Sequence, residues 1–135
     1  MMSLCLFIAS NKELKPLHYE DDNGVVETST YYDTKHYTDK AYSLSLDWSV
    51  NDALENSQHG QILEEYIREA LSLTDEIELG CVWSADSEEL IKKKYTEVKA
   101  CDFNINHLIE LEDSELFSKN DNYEVVTYHY FILTK

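Results

Sequence analysis

Apolar and polar residues alternate along the first third of the chain in the manner of β-strands. A continuous apolar run at residues 3–9 predicts a strand in the centre of a sheet, and alternation over residues 42–48 predicts a half-buried strand. Two further strands are expected at residues 17–20 and 25–32. The sequence Asp-Asp-Asn-Gly at residues 21–24 lies between them, and Asn-Gly accommodates the positive φ angles of a tight hairpin turn.

A helix is predicted in the middle of the chain. Over residues 61–73 the apolar side chains recur with the helical period and fall on one side of the helix. Glu64 and Arg68 are four residues apart, in the favourable order for an ion pair. Glu65 and Glu69 have no such partner in the sequence, and we expect both to face solvent.

The residues after this helix predict a strand and then a second helix. Alternation over residues 77–83 indicates the strand. Asp86 followed by Glu89 forms a capping-box pattern, and the lysines at residues 92–94 would lie at the negative end of the helix dipole. A helix from Asp86 through these lysines is therefore expected.

The last third of the chain predicts a β-hairpin. Apolar residues alternate over residues 103–111, and residues 123–134 are rich in β-branched and aromatic side chains. Pairing of Leu111 with Val125 gives the two strands one continuous apolar face. Residues 112–122 then form a long, polar and acidic connection.

Together these elements predict an α+β fold, a largely antiparallel sheet with two helices packed on one face. We expect a single domain over residues 1–135 and a monomer, and no apolar run is long enough to cross a membrane. Cys5, Cys81 and Cys101 show no metal-binding spacing and lie among apolar residues. Buried, reduced thiols in a cytoplasmic protein are the simplest interpretation.

Net charge changes this picture more than any motif does. The chain carries 27 acidic and 11 basic residues, for a formal charge of −16. Residues 1–50, 51–100 and 101–135 contribute −4, −7 and −5, so the acid is spread along the chain. This sign disfavours direct binding to nucleic acid or to anionic membranes, and it favours a basic protein or a cation as partner. A strongly charged surface that only keeps the protein soluble is the alternative interpretation.

No group of residues in the sequence indicates a particular chemistry. The predicted hairpin places His107 opposite His129, and two such histidines could supply half of the ligands of a metal site. No spacing supplies a third ligand, so both histidines are expected to be structural. Alternation places Cys81 on the buried side of its strand, away from the exposed turn that a nucleophile needs. We therefore expect no catalytic residue, no bound metal and no cofactor.

The residues expected to contact a partner are acids without a local basic neighbour, together with two tyrosines that suit an interface and a sheet surface equally well. They are Glu110, Glu112, Asp113 and Glu115 around the last loop, Glu65 and Glu69 on the first helix, Asp21 and Asp22 at the hairpin turn, and Tyr31 and Tyr32. Of these groups, we expect the acids around the last loop first of all to contact the partner, because binding residues are commonly presented on loops held by a rigid scaffold.

The chain is small and strongly acidic, has a tyrosine-rich α+β pattern and contains no catalytic motif. In this overall character it resembles bacterial immunity proteins, which neutralise toxin nuclease domains. Residues 6–14, Leu-Phe-Ile-Ala-Ser-Asn-Lys-Glu-Leu, also look like the start of some small bacterial proteins, which implies no function. The resemblance implies an acidic surface that occupies the phosphate-binding surface of a nuclease, with steered association. It assigns no role to individual residues.

Two other classes of function remain open. A nucleic-acid mimic that inhibits a DNA-binding protein would also be acidic, with carboxylates that follow the phosphate spacing on one face. A small enzyme or metal-binding protein would need the His107–His129 pair to exist.

Overall fold

The computed structural model describes residues 4–30, 34–51, 57–83, 91–112, 118–119 and 126–135. Within these ranges there are two α-helices, and neither is long and apolar enough to cross a membrane. The elements in chain order are β1 (Leu4–Ser10), β2 (His18–Asp21), β3 (Gly24–Ser29), a 3₁₀ turn (Thr34–Tyr37), β4 (Tyr42–Val50), α1 (Gln58–Ser72), β5 (Glu76–Trp83), β6 (Ile91–Lys99), α2 (Ile105–Glu112), β7 (Ser118–Lys119) and β8 (Val126–Thr134).

The strands form one sheet in the order β2-β3-β4-β1-β5-β8-β6, with the short β7 paired to β8. Every pairing is antiparallel except that of β6 with β8. Both helices pack against the same side of the sheet, α1 against β3 and β5, and α2 against β1 and β5. The predicted α+β class with a largely antiparallel sheet is confirmed.

Strand β1 occupies the centre of the sheet, as its continuous apolar run predicts. It pairs with β4 on one side and with β5 on the other. Phe7, Ile8 and Ala9 are completely buried although successive side chains point to opposite faces. Both faces of the sheet are therefore covered at its centre.

The two faces are covered by different parts of the chain. Ile8 and its neighbours on the helix side join the main core under α1 and α2. On the opposite side Phe7 meets Tyr130 edge-on at 5.5 Å between ring centroids, and Tyr37 of the 3₁₀ turn lies 6.5 Å from Phe7. The buried Tyr130 hydroxyl donates a hydrogen bond of 2.9 Å to the carbonyl oxygen of Tyr37. This bond fastens the 3₁₀ turn to the second face.

The predicted hairpin at residues 21–24 is confirmed as the turn between β2 and β3. Asp21 pairs with Gly24, and the Asp21 carboxylate accepts a hydrogen bond of 2.8 Å from the backbone amide of Asn23. Gly24 has a φ of 148°, which side chains with a Cβ rarely adopt. The turn is thus encoded locally.

The second predicted helix is wrong where the structure describes it. Residues 84–90, with the capping pattern, lie outside the described ranges, and residues 91–99 form strand β6. The segment after the lysines contains Tyr95, Thr96 and Val98, which favour strands, and β6 pairs with β8 along its whole length. This long-range pairing outweighs a local helix signal.

The predicted strand at residues 103–111 is also wrong, because residues 105–112 form α2. Asn104 caps this helix, since its side-chain oxygen accepts a hydrogen bond of 2.8 Å from the Asn106 amide. Ile105, Leu108 and Leu111 recur every three residues and are buried, so the same apolar residues also fit a helix. The predicted pairing of Leu111 with Val125 therefore does not form.

A crossover explains why a helix is needed at this point of the chain. Parallel neighbours such as β6 and β8 cannot be joined by a tight turn, and the connection usually contains a helix. The predicted strand at residues 123–134 is confirmed as β8 over residues 126–134, and residues 123–125 lie outside the described ranges.

The cysteines are only partly as expected. Cys81 is a reduced thiol buried on the helix side of β5, within the main core. Cys101 is free and exposed in the turn after β6, so the expectation of a buried thiol is wrong there. The side chain of Cys5 lies outside the described set.

Replacing Gly24 with Ala should destabilise the fold by about 3 kcal/mol or more, since a positive φ and a steric clash combine. A Cβ at this position would overlap the carbonyl oxygen of Ser49 on β4. Urea unfolding measures the change. The control is Asp22→Ala at the neighbouring exposed position, where we expect a change within about 0.5 kcal/mol. Equal stability of the two variants would contradict this account of the turn.

Candidate protein-binding surface

Helix α1 presents carboxylates on its solvent side. Ser57 caps the helix, because its hydroxyl accepts a hydrogen bond of 3.2 Å from the Gly60 amide. Leu63 on the opposite side is completely buried. Glu65 and Glu69 are exposed, as the helical period predicts.

The predicted pair within α1 is confirmed, with 3.3 Å between Arg68 Nη1 and Glu64 Oε2. Arg68 also donates a hydrogen bond to the carbonyl oxygen of Phe103, which ties α1 to the turn before α2. Glu64 and Arg68 therefore have structural roles, whereas Glu65 and Glu69 keep the outer face of the helix acidic.

The segment at residues 11–17 runs along the side of α1 that faces away from α2. It joins β1 to β2, and β4 and β3 lie between these two strands in the sheet. The segment therefore crosses about 14 Å, three strand spacings, and its buried Leu14 places it on the helix side.

Two contacts hold this crossing segment in place. The Tyr66 hydroxyl on α1 donates a hydrogen bond of 2.6 Å to the carbonyl oxygen of Lys15. The backbone amide of Leu17 donates a bond of 2.8 Å to the Thr28 hydroxyl on β3. Burial and then the nearby Glu69 carboxylate raise the pKa of Tyr66 to about 12, so its hydroxyl stays a donor at neutral pH.

A cavity of about 190 Å³ opens to solvent between the crossing segment and α1. Its surface is mainly apolar, and its wall includes the large hydrophobic side chain of Leu73, which is 54% exposed. We call it the α1 cavity, and its lining residues are Glu13, Leu14, Lys15, Pro16, Leu17, Tyr66, Glu69, Ala70 and Leu73. The periodicity of the sequence does not predict this cavity, because its two walls lie about 50 residues apart in the chain.

The rim of the α1 cavity is acidic. Glu13 and Glu69 lie on it, and Glu65 lies one helical turn before Glu69. Lys15 Nζ is 3.9 Å from Glu69 Oε1, but both side chains are at least 70% exposed, and such a pair contributes little. Glu69 therefore remains available to a cationic partner.

The backbone of α1 adds to this negative potential. The cavity lies against the last two turns of the helix, where the dipole is negative, and the last turn carries no basic residue. Asp75 is exposed just beyond the helix end. Lys135 donates a hydrogen bond of 3.3 Å to the Ser72 carbonyl and offsets part of the negative charge.

The hairpin turn is fastened to the N-terminal end of α1. His59 is buried in the first turn of the helix, and its Nε2 lies 3.0 Å from Asp21 Oδ1 in a close polar contact that is not a hydrogen bond. Tyr19 stands edge-on to the His59 ring at 5.5 Å. Asp21, one of the expected partner-binding residues, thus has an internal contact, while Asp22 beside it is exposed.

The pKa of Asp21 reflects these contacts. Partial desolvation raises the pKa, but the hydrogen bond from the Asn23 amide and the neighbouring His59 lower it. The Tyr19 hydroxyl and the Gly24 amide act in the same direction. The balance holds the pKa of Asp21 below its ordinary value.

A second acidic cavity of about 370 Å³ lies on the opposite face of the sheet. Glu78 is 4% exposed there, and Lys40 forms an ion pair with Glu76. Burial, then Glu78 and Asp39, raise the pKa of Tyr95 in this cavity to about 12. Polar and ionisable residues make up most of its lining, so a larger share of its surface is polar than in the α1 cavity.

The remaining expected partner-binding residues lie on α2 or outside the described residues. Glu110 is exposed on α2, which flanks α1 on the side away from the crossing segment. Glu112 ends α2, but its side chain lies outside the described set. Asp113, Glu115, Tyr31 and Tyr32 also fall outside the described residues.

The His107–His129 pair that a metal site would need does not form as predicted. His107 lies on α2, where its ring stacks on Phe103 at 5.7 Å and meets Phe131 edge-on at 5.3 Å. The backbone of His129 pairs with Lys94 of β6 instead. Within the part of the chain that the structure describes, no three His, Cys, Asp or Glu residues are grouped so that they could hold a metal ion.

No protein-family model, curated protein or solved structure matches this chain. What the surface binds is therefore inferred from its shape, burial and charge.

Changing Tyr66 to Phe should lower the free energy of unfolding by about 1 kcal/mol, because the bond to the Lys15 carbonyl is lost. Chemical denaturation measures the change. Tyr42→Phe is the control, since Tyr42 is also a tyrosine, 45% exposed on β4. A loss in the control as large as in Tyr66→Phe would contradict the role of this bond.

Changing Asp21 to Asn should destabilise the protein at pH 7 and have less effect at lower pH. A carboxylate whose folded-state pKa is lowered stabilises the fold above its unfolded pKa, near 3.9, and this stabilisation is lost as the pH falls through the folded-state pKa. Unfolding curves of both proteins from pH 7 to pH 3 should therefore converge. Asp22→Asn at the exposed neighbour should change the stability at pH 7 little. A difference at pH 7 that persists undiminished to pH 3 would contradict the proposed role of Asp21.

Proposed function

We propose that this protein is a cytoplasmic, monomeric immunity protein that binds and inhibits a basic toxin domain, a nuclease, through an acidic surface. The observation that carries the proposal is the acidic rim of the α1 cavity, with Glu13 and Glu69 in its lining and the exposed Glu65 one helical turn before Glu69, in a chain of net charge −16. Carboxylates around an apolar depression suit a partner that is basic and has apolar side chains within its basic surface.

Inhibition follows from the chemistry of the partner. A nuclease holds phosphates with lysine and arginine side chains. An acidic protein whose carboxylates bind these same side chains prevents the nucleic acid from binding there. The spread of negative charge over the whole chain speeds the encounter, because long-range attraction steers a basic partner before contact. Salt weakens this attraction, so association is fast only at low ionic strength.

The exposed acids near the hairpin and on α2 widen this surface. Asp22 lies at the hairpin turn that His59 anchors to α1, and Glu110 lies on the neighbouring helix. Glu20, which is 3.6 Å from His18 Nε2, lies on β2 one residue before Asp21. Glu112 is the last residue of α2, and Asp113 and Glu115, which follow it in the sequence, remain part of the proposal.

The direct test is protection. Cells that express the toxin domain encoded beside this gene should survive only when this protein is co-expressed, and the purified proteins should bind tightly with an affinity that falls as salt increases. Glu69→Lys should slow association at least about tenfold at low salt, because it reverses a charge on the contact surface.

The matched control is Asp39→Lys, which makes the same change of charge at an exposed site on the opposite face. It should slow association much less. Absence of protection by the unmodified protein would contradict the proposed function. Equal effects of the two reversals would move the contact surface away from α1, and Glu110→Lys then tests the α2 side.

A further inference from the structure

We propose that the α1 cavity is an anchor site for one bulky apolar side chain, leucine or phenylalanine, that a basic segment of the partner presents between lysines or arginines. This inference rests on the proposed function, since it names the part of the partner that the acidic surface recognises. The occupant is thus a stretch of the partner protein in which one apolar side chain has cationic neighbours.

The cavity is preformed in the unbound chain. Its two walls are α1, whose buried side is anchored in the core, and the crossing segment, which Tyr66 and Thr28 hold by hydrogen bonds at Lys15 and Leu17. Leu14 buries its side chain in the core beneath. Because both walls are already ordered, a ligand loses little affinity to ordering them.

The size and surface of the cavity match an apolar side chain. A cavity of about 150 Å³ is enough to hold benzene, and this one measures about 190 Å³ with a mainly apolar lining. Among the described residues, Leu73 on its wall is the most exposed of the large hydrophobic side chains, at 54%. An anchor that covers Leu73 and fills the cavity removes this apolar surface from water.

The charges on the rim determine what flanks the anchor. Glu13 and Glu69 line the cavity beside Lys15, and Glu65 lies one helical turn before Glu69. The last turn of α1, where the helix dipole is negative, also lies against the cavity. A second copy of this chain would bring another −16 of charge against these carboxylates, so self-association through this face is disfavoured. Lysine or arginine on either side of the anchor meets the carboxylates instead.

Two peptides test the anchor without the toxin. One is a blocked pentapeptide with phenylalanine at its centre and lysine at the other positions, and the other has serine at the centre. Titration followed by amide chemical shifts of the ¹⁵N-labelled protein should show the phenylalanine peptide binding about tenfold more tightly, because only its side chain is buried. The shifts should centre on Leu14, Leu17 and Ala70.

Two variants locate the binding. Leu73→Ser removes an exposed part of the wall and should weaken the phenylalanine peptide roughly fivefold. Tyr42→Ser on β4 removes another large exposed side chain, 45% exposed, and should leave binding unchanged. The anchor site would be overturned if neither peptide binds, if the two peptides bind equally tightly, or if the chemical-shift changes centre on another part of the protein. Equal effects of the two variants on binding would overturn it as well.

These outcomes are separate from those that test the proposed function. If the toxin domain is neutralised but the peptides do not distinguish phenylalanine from serine, the protein inhibits a toxin without using this cavity. If the phenylalanine peptide binds the cavity but no protection is seen, the anchor site is real and its partner is a basic protein other than a toxin.

Discussion

The sheet must be covered on both faces because its central strand is apolar on both. Phe7 and Ile8 point to opposite sides of β1, and both are completely buried. Two helices cover one side, and the 3₁₀ turn covers the other, where the Tyr130 hydroxyl binds the Tyr37 carbonyl. The chain reaches these positions by crossing its own sheet, and the crossing of residues 11–17 on the helix side creates the wall of the α1 cavity. The cavity is thus a consequence of strand order.

Negative charge is the second constraint on this molecule. A net charge of −16 on 135 residues opposes compaction, because like charges repel in the folded state. The described ion pairs relieve this repulsion only in part. In pairs such as Lys15–Glu69 both side chains are largely exposed to solvent, so the pair contributes little to stability. A buried apolar core on both faces of the sheet supplies the stability that offsets the repulsion.

Shape and charge have different roles at the proposed contact surface. The carboxylates act over distance and affect mainly the rate of encounter, whereas burial of an apolar side chain affects mainly how long a complex lasts. The α1 cavity places both within one surface, with Leu73 beside Glu69. In the second cavity Lys40 and Glu76 pair with each other and Glu78 is buried.

The local sequence pattern predicted the secondary structure correctly wherever only one conformation fits that pattern. The double-sided apolar run of β1, the Asn-Gly turn at Gly24 and the long amphipathic period of α1 each specify their own conformation, and the exposure of Glu65 and Glu69 follows from the last of these. Residues 91–99 and 103–111 are short and fit two conformations. Pairing of β6 with a strand 35 positions further along the chain, and the crossover that such a parallel pair requires, decided between them.

The candidate site divides in the same way. Its charge is a property of composition and could be read from the residues, but the cavity depends on the Tyr66–Lys15 contact between positions 51 residues apart. The burial of Glu78 likewise depends on the tertiary structure, because alternation predicts only which side of β5 it occupies and not that this side is covered. Periodicity along a chain specifies which residues share a face. What covers that face is decided by contacts between distant segments, which no local pattern encodes.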